Sequence, residues 1–325
     1  MPNHGTACLR DNPMPSHMPS HVRWLTGGSW ITVRGRGGRH RLFVRQDGPE
    51  DGRPVTLIHG FPTSSHDWSL ILPHLTDLGL RVTSFDLLGF GASDKPRRHT
   101  YSVMEQADLA EDLWTHLNIG DTAMVAHDYG VTVAQELLAR NSRRVTRMAW
   151  LNGGLYPDLH RPLRIQRLLH GPFGPLLSHG INQKAFARSM RRLMARPASD
   201  QNLHEMWNGM ALHQGHLLAP RLLRYIDERR AHETRWVTAL EDFNAPTLFV
   251  WGPRDPVSGV HVAQRIRQRF PHAHLQELNG PFPVGHYPQI EAADEVGSLV
   301  GKFLSSPPGL VCDQPAGAGP SPNAL

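Results

Sequence analysis

A chain of 325 residues, 39 % hydrophobic and 19 % charged, can bury a sizeable core and fits one large domain or a domain carrying an insertion. No apolar run approaches the roughly 20 residues that cross a bilayer, and the start, M-P-N-H-G-T-A-C-L-R-D-N-P, lacks the apolar centre of a secretory signal, so no membrane span and a cytoplasmic location are expected. The net charge of +5 comes from arginines scattered without a long basic block or a nucleic-acid-binding motif, which argues against a nucleic-acid partner.

The segments 1–22 and 306–325 are rich in Pro, Gly and small polar residues and read as disordered tails. Cys8 and Cys312 fall within them, so neither a disulfide framework nor a cysteine metal site is expected. Between the tails, short β-rich runs alternate with helix-length segments. I-T-V-R and R-L-F-V-R suggest an antiparallel opening pair. V-T-L-I-H, R-V-T-S-F-D, T-A-M-V-A-H and R-M-A-W-L-N then alternate with S-H-D-W-S-L-I-L-P-H-L, V-M-E-Q-A-D-L-A-E-D-L-W-T-H-L and G-V-T-V-A-Q-E-L-L-A-R. This alternation predicts an α/β fold with a mostly parallel sheet covered by helices on both faces. It stops over 155–241, where Leu, Met, Arg and His dominate without a strand-like run, and resumes in 242–305 with P-T-L-F-V-W-G and A-H-L-Q-E-L. The predicted organisation is a core in two parts, 23–154 and 242–305, interrupted by a helical cap that closes over the carboxyl ends of the strands.

One acidic residue stands at the junction of the run T-A-M-V-A-H and the helix that follows. Asp128 has the small residues Ala126 and Gly130 two positions to either side, the spacing of the strained strand-turn-helix elbow G-x-S-x-G with Asp in place of Ser. Asp is also a common helix N-cap, so the stretch alone leaves a capping role open. Asp255, in W-G-P-R-D-P-V, and His286, in P-F-P-V-G-H-Y-P-Q-I, each follow a predicted strand and complete the chain order nucleophile, acid, histidine. H-G-F-P, after V-T-L-I, is placed to give one backbone donor of an oxyanion hole at Phe61, with Tyr129 giving the other, while His59 is expected to be structural. A serine attacking a saturated carbon would leave a stable ether. A carboxylate leaves an ester that water can hydrolyse, so Asp128 would attack an sp³ carbon, His286 would activate water and Asp255 would orient His286. No metal or organic cofactor is required; the expected partners are a small apolar organic substrate and water.

The residues L-I-H-G-F-P-T-S-S-H-D-W, D-L-L-G-F-G-A-S-D-K-P, H-D-Y-G, N-G-G-L-Y-P-D-L-H-R-P, G-P-R-D-P-V and H-Y-P-Q-I-E resemble those of capped α/β-hydrolases of the epoxide hydrolase and haloalkane dehalogenase group, and within it the mesoderm-specific transcript homologue family. The resemblance implies a hydrolase, most simply of epoxides, with dehalogenation of a haloalkane or haloacid as the enzymatic alternative and a catalytically silent ligand-binding scaffold as the other. Dehalogenases of that group hold the halide with a tryptophan after the nucleophile; here Tyr129 and Phe61 occupy the corresponding places. Epoxide hydrolases use cap tyrosines, which Tyr225 and, less well matched, Tyr156 would supply. Trp68, Trp207 and Trp236 read as packing residues, with lining of the cap side of the pocket as the functional alternative for Trp207, and G-F-G-A-S-D reads as a tight turn near the mouth rather than a dinucleotide loop. His213 and His216, without a third ligand, read as a packing pair.

Overall fold

The computed structural model describes residues 17–307. Eight extended segments form one sheet: β1 (Ser29–Gly35), β2 (Gly38–Asp47), β3 (Arg53–Ile58), β4 (Leu80–Phe85), β5 (Thr122–Ala126), β6 (Val145–Leu151), β7 (Thr247–Trp251) and β8 (His274–Glu277). Their spatial order is β1-β2-β4-β3-β5-β6-β7-β8. β2 pairs antiparallel with β1 and β4, and every later pairing is parallel. The structure is the α/β fold with a mostly parallel, helix-covered sheet expected from the strand and helix alternation.

Alternation along the strands divides the core. Ala123 and Val125 of β5 join Val55, Leu57, Ala149 and Val250 in one apolar cluster, while Met124 and Ala126 join Ile58, Trp150 and Phe249 in the other. The first cluster is closed by α2 (Leu72–Thr76) and by a later helix, Ala293–Ser305. The second is closed by α3 (Val103–His116) and α4 (Tyr129–Asn141). α3 starts where the Ser102 hydroxyl accepts the Glu105 N–H at 3.1 Å. Trp68 and Trp236 are buried packing residues, and the Trp236 indole donates to Glu136 at 2.7 Å.

Between β6 and β7 the chain is helical. It holds α5 (Arg164–His170), α6 (Gly174–Ser178), α7 (Gln183–Leu193), α8 (Asp200–Ala211), α9 (Ala219–Leu222), α10 (Tyr225–Ala231) and α11 (Glu233–Glu241). Leu169, Phe186, Met190 and Leu203 of this insertion belong to the same apolar cluster as β5 and α4, so it packs onto the core rather than standing apart. The remaining helices are α12 (Val260–Arg269), α13 (Pro288–Glu291) and α14 (Ala293–Ser305).

Of the two expected tails, residues 1–16 and 308–325 lie outside the described residues. Residues 17–22 correct the first expectation. Met18 is buried and its N–H donates to Asn202 Oδ1 at 3.0 Å, the His21 N–H donates to Glu205 at 2.8 Å, and α1 (His21–Thr26) follows under Ser20. Buried Met18 and Trp24 supply anchors that a reading of composition averages away.

Candidate active site

The parallel strands end at one level: Ile58 of β3 pairs with Ala126 of β5, which pairs with Trp150 of β6. Loops leaving these ends therefore converge. Asp128 follows β5 with φ +49 and ψ −112, a conformation that costs a non-glycine residue energy and aims its side chain away from the sheet. The tight turn needs Gly130, because a Cβ there would lie 2.3 Å from the Ile58 carbonyl oxygen. The Asp128 carboxylate makes no capping bond to α4. It turns instead toward the loop and the histidine. Oδ1 accepts the Phe61 N–H at 2.8 Å and Oδ2 lies 3.3 Å from His286 Nε2.

His286 Nδ1 in turn lies 2.7 Å from Asp255 Oδ2. Asp255 is fixed by the Val257 N–H at 2.7 Å, the Ser258 hydroxyl at 2.6 Å and the Asn152 amide at 3.0 Å. Burial opposes ionisation of all three groups, but mutual charge and hydrogen bonding win. His286 is pushed up to about 10 by the two carboxylates, chiefly Asp255. Asp128 and Asp255 are both held below the usual carboxylate range by His286. The resting arrangement is thus a buried carboxylate, imidazolium, carboxylate chain.

The sequence expectation placed these three residues and Phe61 together, and the structure brings them together. The Tyr129 N–H opens α4 directly after Asp128. Asp128, His286 and Phe61 line a largely apolar cavity with Leu169, Phe186 and Met190 of the insertion, and a water-sized molecule's centre has about 100 Å³ to move in. That is room for a small organic molecule. Among the described residues, no Lys, Arg, Trp or Tyr lines it, and Gln166 and Ser189 are its polar groups from the insertion.

Of three expected pocket residues, one lies beside the cavity and two fall elsewhere. Tyr225 is buried with its ring 4.8 Å from that of Tyr129 and against Arg229, next to the cavity but not in its lining. Burial and the nearby Asp128 charge raise its phenol well above 10, so it stays protonated. Tyr156 is corrected: its hydroxyl donates to Glu241 at 3.3 Å and it borders a different depression with Arg265 and Arg269. For Trp207 the packing reading holds and the pocket-lining one is corrected, since it packs between Phe186 and His216, behind the lining.

Several positioning residues escaped the sequence reading. Asn152 accepts the Asp128 N–H on its carbonyl at 2.9 Å and, through its side chain, exchanges hydrogen bonds with Gly252 and donates to Asp255, so one residue after β6 aligns the β5 and β7 loops. Its signal was a polar residue followed by two glycines at a strand's carboxyl end. The buried Glu291 carboxylate gathers the N–H groups of Gly285 and Tyr287 and so holds the turn bearing His286. His59 is structural as expected, accepting the Leu87 N–H at 3.0 Å. In G-F-G-A-S-D, Phe90 touches the Phe61 and Tyr129 rings, which places that turn beside the site.

Among the described residues, one group has the donors for a metal ion: His40, His99 and Glu105, with ligand atoms all within 4.8 Å of one another. It is away from the cavity lining, and Glu105 there also accepts the Gly37 N–H at 2.8 Å, clasping the β1–β2 turn to α3. His213 and His216 are not part of such a group.

Fold and site define an α/β-hydrolase. The chain belongs to the alpha/beta hydrolase fold family, whose pattern matches residues 53–293. Within it the chain belongs with the mesoderm-specific transcript homologues: it is 38 % identical to the mesoderm-specific transcript homolog protein of Bos taurus over 88 % of each chain. It is also 38 % identical to the putative hydrolase LipZ of Mycobacterium tuberculosis, over 84 % of this chain and 94 % of that one. Among solved structures, haloalkane dehalogenase DbeA from Bradyrhizobium elkani shares the fold with a TM-score of 0.72, at 23 % identity over 86 % of this chain and 98 % of that one.

Proposed function

We propose that this hydrolase cleaves its substrate through a covalent ester on Asp128, and that the substrate is a small, uncharged, apolar epoxide. The observation that carries the reading is the pairing of a strained carboxylate with a histidine at 3.3 Å, where a serine hydrolase has a hydroxyl. Oδ1 is held by the Phe61 N–H at 2.8 Å and Oδ2 more loosely by His286 at 3.3 Å, so Oδ2 is the oxygen we assign to the attack. Oδ2 forms the new C–O bond as an epoxide C–O bond breaks, and the ring oxygen leaves as an alkoxide that must take a proton. Tyr225, protonated and beside Tyr129, is the donor from the insertion best placed to supply it once substrate draws it in.

Esterification removes the Asp128 charge and with it part of what holds the proton on His286. His286 can then give up that proton, which returns to the Tyr225 phenolate and restores the phenol, and take one from water. The resulting hydroxide attacks the ester carbonyl, the oxyanion on Oδ1 meets the Phe61 and Tyr129 N–H groups, and collapse breaks the Cγ–Oδ2 bond; the departing alkoxide takes the proton of the new carboxylic acid, which frees the diol and restores the carboxylate beside a protonated His286. Asp255 holds the imidazole in place throughout.

Dehalogenation of a haloalkane is the second reading. A halide leaves without needing a proton, and the cavity lining holds no phenol. A haloacid is disfavoured because the lining has no basic side chain for its carboxylate.

The test is a single turnover in ¹⁸O-water with enzyme in excess. The reading expects product without label and ¹⁸O in the Asp128 side chain, because the first product oxygen comes from the carboxylate. Labelled product and an unlabelled Asp128 would mean direct attack by water. Halide release in place of diol formation would select the second reading.

A further inference from the structure

The chain's positive charge is unevenly held. Residues 159–199 contain eight basic residues and no Asp or Glu, so this stretch carries +8 while the whole chain carries +5 and the remainder is net negative. The stretch builds α5, α6 and α7, the helices that wall the cavity with Leu169, Phe186 and Met190.

The same stretch exposes large apolar side chains. Phe173 is 72 %, Leu176 73 % and Leu168 57 % exposed, with Leu177 and Ile165 also open to solvent. Scattered exposed apolar residues are ordinary, but five large ones within thirteen residues, rimmed by like charges, mark an interaction surface. On α5, Ile165 and Leu169 (i, i+4) turn toward the cavity, while Arg164, Arg167 and Leu168 (i, i+3, i+4) share the outward face. Among the described residues, Arg161, Arg164, Arg167, Lys184 and Arg188 are exposed and have no ion-pair partner. Exposed Phe and Leu side chains among unpaired arginines match what an anionic bilayer offers, with acyl chains for the apolar groups and phosphates for the guanidinium groups. A nucleic acid would satisfy the arginines but leave Phe173, Leu176 and Leu168 in water.

We infer that the α5–α6 face is a membrane-docking surface, seating the cavity wall on an anionic lipid bilayer. Ile165 is both exposed and part of the cavity lining, so the docked face adjoins the cavity, and an apolar substrate dissolved in the bilayer would have a short path to it. The inference goes beyond the proposed reaction and does not depend on it, since docking requires nothing of Asp128.

The experiment is co-sedimentation of the full chain with vesicles of phosphatidylglycerol and phosphatidylcholine, and with phosphatidylcholine alone, at low and high salt. Binding to the anionic vesicles is expected, at least about tenfold weaker without phosphatidylglycerol or at high salt. Phe173→Ser with Leu176→Ser should also weaken it about tenfold or more. Arg164→Glu with Arg167→Glu should weaken it without altering the melting temperature, and all four side chains are exposed, so folding is preserved. Absence of binding to anionic vesicles would overturn the inference. So would binding unchanged by Phe173→Ser with Leu176→Ser, or preferential binding to an RNA or DNA competitor that those serines leave intact.

Discussion

Replacing Asp255 by Asn tests how the site holds its histidine. Asp255 Oδ2 faces three donors, from His286, Ser258 and Asn152, and Oδ1 faces one, the Val257 N–H at 2.7 Å. The amide oxygen of Asn would take the place with three donors, leaving its NH₂ against the Val257 N–H. The loss is therefore one buried hydrogen bond turned into a donor–donor contact, about 1–3 kcal/mol, plus the weakening of charge-assisted bonds to neutral ones, about 1 kcal/mol or more. A destabilisation of about 3 kcal/mol in urea is expected. His286 also loses the larger of the charges that raise it, and its ring loses its anchor. Alkylation of Asp128, which needs no base, should slow modestly, whereas ester hydrolysis should slow by about 10²- to 10⁴-fold. Rapid-quench mass spectrometry resolves the two steps, and the ester should accumulate. Hydrolysis at the wild-type rate, or alkylation and hydrolysis slowed alike, would refute the assigned role of Asp255.

Gly130→Ala places a methyl group 2.3 Å from the Ile58 carbonyl and 2.7 Å from that of His59, so the loop carrying Phe61 must shift; a loss of about 1–3 kcal/mol in stability and about 10²-fold in activity is expected by denaturation and turnover. Tyr225→Phe should lower kcat for epoxides by about 10²-fold or more and leave haloalkane turnover, if any, unaffected; equal turnover of epoxide by wild type and variant would remove Tyr225 from the mechanism. The pH profile follows from the charges. Asp128, held below its ordinary range, stays ionised through mildly acidic pH, so kcat/KM should be flat there. Hydrolysis needs His286 neutral, and a proton on it blocks the base, so kcat should fall as pH drops while the ester builds up. A parallel fall of kcat and kcat/KM would contradict this order of events.

Much of this was legible because it rests on local pattern. Strand alternation and helix-length runs located the sheet, and parallel connection forces the loops after β3, β5 and β7 to one edge, which is why Phe61, Asp128 and Asp255 could be placed from local motif spacing and chain order. His286, nine residues beyond the end of β8, was placed by the same logic. The insertion was not legible in this way. Its helices could be recognised, but which face of each meets the cavity depends on packing between segments far apart in sequence. Tyr156 bonds to Glu241, 85 positions on, and Trp207 is screened from the cavity by Phe186. Asn152 was missed because its work is to bridge two loops, a relation with no spacing signature. The charge of the insertion was diluted in the sum: arginines that look scattered over the whole chain become an acid-free surface once residues 159–199 are seen as one wall.

The measurement nearest the central claim is intact-protein mass spectrometry of the His286→Gln variant incubated with small apolar epoxides. The account predicts a stable adduct of one substrate mass per chain, mapped by peptide sequencing to Asp128 and absent from Asp128→Asn with His286→Gln. Folded His286→Gln protein that forms no adduct, or one carried by another residue, would contradict an Asp128 ester as the intermediate.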